Sequence, residues 1–130
     1  MPSLFTRIVN GEIPCAKVWE NERCLAFLDI MPVTPAHTLV IPKQEVDYLF
    51  DLDDPLYLEL MRASKTVAGL LKKATGCARV SVGVFGFEIP HAHIHLIPMN
   101  ALGDFPFPAR AKAKPEDLAA MAGKIRDLRA

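Results

Sequence analysis

The sequence predicts an α+β fold. Five short β-rich runs fall in groups that suit antiparallel pairing, while only three stretches show the spacing of a helix. Of the 130 residues, 51% are hydrophobic and 23% charged, which is enough apolar surface for a real core. That length suits one domain, taken as residues 1–130.

Each element has its own signal. Residues 3–11 predict a short helix, capped by Ser3, striped by Leu4, Phe5, Ile8 and Val9, and stopped at Asn10-Gly11. Residues 16–20 and 24–28, with a turn at Asn21-Glu22, predict a hairpin. A loop containing Pro32 and Pro35 leads to a third strand over 37–41, ended by Pro42. The one long helix starts at Asp53 or Asp54 with Pro55 in its first turn. Leu56, Leu60, Ala63, Val67, Leu70 and Ala74 recur along it in steps of three and four, Lys72 and Lys73 suit its last turn, and Gly76 ends it. Residues 78–85 and 91–97 supply the last two strands. Beyond them, 99–114 carries Gly103, Pro106 and Pro108 and predicts an irregular surface segment. A final helix over 116–128 places Leu118, Met121, Ile125 and Leu128 on one face.

Composition also narrows the function classes. Fifteen basic residues balance fifteen acidic ones, so neither nucleic acid nor an anionic membrane is expected as a partner. No apolar run approaches the roughly 18 residues of a membrane span, and the first ten residues lack the apolar block of a signal peptide. Cys15, Cys24 and Cys77 are odd in number and form no CxxC pair, which argues for a reducing cytoplasm over a disulfide framework.

Three of the four histidines fall within five residues, in His91-Ala92-His93-Ile94-His95-Leu96-Ile97. Alternate residues of a strand share a face at a repeat of roughly 6.6 Å. His91, His93 and His95 are therefore expected on one side, with Ala92, Ile94 and Leu96 on the apolar other. Two chemistries compete for such a row. Neutral imidazoles can hold zinc, with Cys15 or Cys24 as a further ligand. Alternatively, a ring whose ordinary pKa is about 6.5 can attack phosphorus at neutral pH, and crowding by its neighbours disfavours protonation. The lack of paired ligand spacing favours the nucleophile, with no metal and no cofactor; a zinc-binding protein stays open as the alternative.

The row resembles the signature of the histidine triad (HIT) family, in which three histidines alternate with apolar residues. Upstream, Ile13-Pro14, Asp29-Ile30-x-Pro32-x-x-Pro35-x-His37 and Leu39-Val40-Ile41-Pro42-Lys43 look like its Hint branch, so the likeness spans about residues 3 to 98 in order. The resemblance implies a nucleotide hydrolase or transferase built as a homodimer, with five-stranded antiparallel sheets joined across two subunits. On it, His93 would attack the α-phosphorus of a purine nucleotide to give a covalent nucleotidyl-histidine. His91 and His95 would contact phosphate or orient the nucleophile, and His37 would complete the network. Asp29 would bind the ribose hydroxyls, with Ile30 beside it. Phe5, Ile8, Ile13, Phe27 and Leu28 would form a slot for the base. The segment before the triad, Ser81 to Pro90, departs from the branch: it has no asparagine, and Glu88 stands where the branch carries serine. Glu88 could give a proton to the leaving group or face solvent. The departure keeps a nucleotide-binding module with little turnover as a further alternative.

Overall fold

The computed structural model describes residues 1–108 and 110–128. In chain order it forms α1 (Leu4–Val9), β1 (Lys17–Glu20), β2 (Cys24–Leu28), β3 (Thr38–Pro42), α2 (Asp54–Thr75), β4 (Arg79–Gly83), β5 (Ile94–Met99) and α3 (Pro115–Asp127). Single tight helical turns lie at Leu49–Asp51 and Leu102–Asp104. The strands make one antiparallel sheet in the order β1-β2-β3-β5-β4, so the expected α+β architecture holds.

Period-two alternation splits the apolar residues between the two faces of this sheet. Cys24, Ala26, Val40, Ile94 and Leu96 face α2 and meet Leu56, Leu60, Ala63, Val67 and Leu71. Leu25, Phe27, Leu39 and Ile41 face the other way and are covered by Phe5 of α1. Stability is thus concentrated on one face, and the second face is only partly roofed.

The helix ends follow their capping chemistry. Ser3 Oγ accepts from Thr6 N–H at 3.0 Å, and Asp53 Oδ1 accepts from Leu56 N–H at 2.9 Å. Gly76 closes α2 at φ +68°, a left-handed conformation that glycine adopts without a Cβ penalty. Along α2 the buried seam differs from the expected stripe. Leu71, four residues on from Val67, is 4% exposed, whereas Leu70 is 42% exposed and Ala74 is also open. A 3.6-residue period carries the seam toward Leu71 and leaves Leu70 on its flank.

Other boundaries moved as well. β4 ends at Gly83, short of Phe85, and β5 starts at Ile94 instead of His91. Before Ile94 the backbone bonds elsewhere: His91 N–H donates to Ile89 O at 2.8 Å and Ala92 N–H to Val46 O at 2.7 Å. His91 and His93 therefore stand in the segment leading into the strand, outside its ladder. The stripe Leu118, Met121, Ile125 and Leu128 of α3 is exposed, and α3 buries no residue. No helix among the described residues is long and apolar enough to cross a membrane.

Leu60 sits at the centre of the α2 seam with 0% exposure. Leu60→Ala is expected to cost about 2–5 kcal/mol, the usual range for a buried Leu-to-Ala change. A lowered midpoint in urea with an unchanged slope checks this; an unmoved midpoint would contradict the core assignment.

Candidate active site

The half-open sheet face is where the histidines gather. β2 points Phe27 to that face and delivers Asp29 one residue beyond its end. The loop that follows is closed by Asp29 N–H on His37 O at 2.9 Å, and by Thr34 Oγ1 on Pro98 O at 2.7 Å. Ala36 lies at φ +71°, a left-handed conformation costing a non-glycine residue about 1–2 kcal/mol, and the next residue is His37. β5 adds His95, its approach adds His93, and α1 lays Phe5 edge-on to the His93 ring at 5.1 Å.

Together these groups line a cavity of about 490 Å³. Of the sequence-predicted residues, Phe5, Ile8, Phe27, Asp29, Ile30, His37, Glu88, His93 and His95 are in its wall. Three are not. Leu28 alternates away from Phe27 and is 37% exposed. Ile13 is tied into the turn after α1 through its N–H to Arg7 O. His91 is wholly buried behind the wall. The wall also includes Leu39 and Ile97, which the two-residue step from His37 and His95 could have indicated, and Phe85 and Phe105, for which the sequence offers no signal.

The hydrogen bonds fix the tautomer of every ring. His91 Nε2–H donates to Pro42 O at 2.8 Å, so Nδ1 accepts, and Ser3 Oγ–H supplies the proton at 2.9 Å. Thr6 Oγ1–H is not free for that role because it donates to Glu45 Oε1 at 2.6 Å, which also receives Ser3 N–H at 2.6 Å. His93 Nδ1–H donates to His91 O at 2.7 Å, which leaves the lone pair of the neutral ring on Nε2. His37 Nδ1 accepts from Val33 N–H at 3.0 Å, so its Nε2–H donates to His95 Nδ1 at 2.9 Å. His95 must then carry its own proton on Nε2. No wholly buried side-chain nitrogen or oxygen among the described residues lacks a partner. Nε2 of His93 and Nε2–H of His95 have none among the described residues and open onto the cavity: one lone pair and one donor, on rings 5.0 Å apart.

Burial disfavours the charged form of three rings, His95, His37 and His91. It pushes His95 down to about 4, helped by His93 and His37 and opposed by Asp29. His37 is lowered by burial against the pull of Asp29 Oδ2, 3.6 Å away. His91 is lowered by burial against its bond to Pro42 and the charge of Glu45.

Among the described residues, a zinc set of alternating histidines plus Cys15 or Cys24 is not assembled. His91 has both nitrogens occupied, and Cys24 lies in the α2 core on the opposite face. The donors that do converge are Asp29, His37 and His95, whose ligand atoms lie within 4.8 Å of one another. Holding a cation there would remove the proton between His37 and His95. It would also move His37's proton to Nδ1, where it would oppose Val33 N–H.

Residues 10–102 match the HIT domain family profile. Protein hit of Bacillus subtilis is 36% identical over 132 aligned positions, covering 94% of this chain and 90% of the relative. The adenosine 5'-monophosphoramidase hnt1 of Schizosaccharomyces pombe is 36% identical over 103, covering 75% of this chain and 74% of the relative. The adenylylsulfatase HINT3 of Arabidopsis thaliana is 32% identical over 100, 73% of this chain and 51% of the relative. Among solved structures, a HIT family member from Bacillus subtilis superposes with a TM-score of 0.82 at 34% identity, covering 100% of this chain and 99% of the other.

The depressed imidazoles make stability depend on pH in a defined direction. Unfolded histidines take up protons near pH 6.5, whereas folded His95 resists until about 4. The unfolded chain therefore binds more protons across that window, and stability falls as pH drops through it. Urea midpoints are expected to be level above about pH 7 and to decline from about pH 6.5 toward 4. His95→Gln should flatten part of that decline, and an identical slope in the variant would contradict the assignment.

Proposed function

The chain belongs to the HIT domain family, and we propose that it is a nucleotide hydrolase or transferase. It cleaves a phosphorus bond at the α-phosphate of a purine nucleotide through a covalent nucleotidyl intermediate on His93. The observation that carries this reading is the unpartnered Nε2 of His93, left with a lone pair by the 2.7 Å bond from Nδ1 to His91 O. Relatives named adenosine 5'-monophosphoramidase and adenylylsulfatase support the class of bond. Candidate substrates are nucleoside phosphoramidates, aminoacyl-adenylates and dinucleoside polyphosphates.

In the first step His93 Nε2 bonds to phosphorus as the bond to the leaving group breaks. The leaving group departs with the electron pair and takes a proton from solvent. His95 Nε2–H donates a hydrogen bond to a phosphoryl oxygen and acts as a donor only, because a ring with its pKa near 4 is neutral at pH 7 and has no second proton to give. Water then attacks phosphorus, the N–P bond breaks, and the proton lost by water balances the one taken earlier. Asp29 Oδ1 accepts Met31 N–H at 2.9 Å, which holds the carboxylate in place for the ribose hydroxyls. Phe5, Ile8 and Phe27 form the apolar wall for the base.

A homodimer belongs to this reading. The outer edge of β1 is defended by charge, with Lys17 and Lys43 both paired to Glu20. The outer edge of β4 is apolar: Val82 is 59% exposed, and beside it Tyr48, Phe50, Val84 and Phe87 line a depression of about 280 Å³. A second copy pairing along β4 would cover both. The three free cysteines suit a reducing cytoplasm.

His93→Ala is expected to abolish hydrolysis of adenosine 5'-phosphoramidate while AMP affinity changes by less than about tenfold, since only uniform binding remains. Rapid quenching of the unaltered protein should yield a nucleotidyl adduct on His93 by mass spectrometry. AMP binding with no turnover on any candidate substrate would favour a binding module, which the Glu88 departure motivates. Val82→Lys should shift sedimentation from a dimer to a single chain; a monomeric parent protein would sink the β4 interface.

A further inference from the structure

Among the described residues the cavity wall holds no lysine and no arginine. Among those residues its charged side chains are two carboxylates, Asp29 and Glu88, alongside the imidazoles of His37 and His95, whose charged forms burial disfavours. Asp29 is tethered to Met31 N–H, but among the described residues Glu88 makes no hydrogen bond and no ion pair. Glu88 is held at the cavity mouth from both sides. Gly86, at φ +77°, turns the chain just before it, and Ile89 just after it packs against the apolar cluster around Phe5. The same wall carries two aromatic rings: Phe85, 5.2 Å from the His95 ring, stacks on Phe105 at 6.2 Å.

This inventory is wrong for a polyanion. Each phosphate beyond the one at His93 would enter a site without a cation, facing a carboxylate. It suits a positive charge, which Glu88 can neutralise and the faces of Phe85 and Phe105 can attract. Resting on the hydrolase reading above, we propose that Glu88, Phe85 and Phe105 form a subsite for a cationic leaving group. Its ligand is an amine joined to the α-phosphorus that carries a second ammonium or guanidinium a few bonds away. Among the candidate substrates this selects amine conjugates over dinucleoside polyphosphates.

The test compares two adenosine 5'-phosphoramidates of equal length, one of 1,4-diaminobutane with a free ammonium and one of butylamine. The ratio of their kcat/KM values is measured in the unaltered protein, Glu88→Gln and Glu88→Lys. The unaltered protein should favour the diamine roughly threefold to tenfold, the scale of a partly exposed charge pair reinforced by aromatic faces. Glu88→Gln should bring the ratio near one, and Glu88→Lys should invert it. A ratio that Glu88→Gln leaves unchanged overturns the subsite while leaving the hydrolase reading intact. If neither conjugate nor any other candidate substrate is turned over, the hydrolase reading fails instead. The same ratio, taken from calorimetric affinities in His93→Ala and in His93→Ala with Glu88→Gln, still decides the subsite.

Discussion

A single hydrogen bond organises the site: His93 Nδ1–H to the carbonyl of His91. A backbone oxygen cannot rotate away or titrate, so the nitrogen that keeps the lone pair is decided by the chain path. That path is set by contacts remote from the cavity. The His91 ring is clamped between Pro42 O and Ser3 Oγ, and Ser3 is held by the same carboxylate of Glu45 that receives Thr6. The first histidine of the row thus serves as a bracket for the second, and its full burial follows from that role.

Local chemistry in the sequence was enough for the elements with strong stop and start signals. The cap at Asp53, the left-handed glycine at 76 and the limits of β2 each depend on one or two residues with few alternatives. Alternation likewise placed Phe27, His93 and His95 on one side. What could not be read depends on distant partners. The start of β5 is decided by Val46, nearly fifty residues upstream of Ala92, and the role of His91 by Ser3. Leu28 and Ile13 have the same hydrophobicity as the true wall residues and differ only in where the backbone turns them. Phe105 reaches the cavity from an irregular segment, where no period exists to read.

The two faces of the sheet divide the labour. Against α2, side chains from three central strands pack at or near zero exposure, which makes a rigid floor. On the other side, one six-residue helix covers only part of the surface, and the remaining concavity is the site. The strained Ala36 and the cross-tied loop behind it spend some of the floor's stability to aim one imidazole at another.

Because α1 supplies both Phe5 and the hydroxyl that tunes His91, the opening turn of the chain behaves as a removable component of the chemistry. Disturbing this segment would leave the α2 core untouched, at the cost of uncovering the apolar cluster that Phe5 shields on the other face. The protein would also lose the donor that sets the first ring and the cover over the second. Material with its α2 core intact yet inert would be the signature, and its cause would lie some ninety residues before the histidine row.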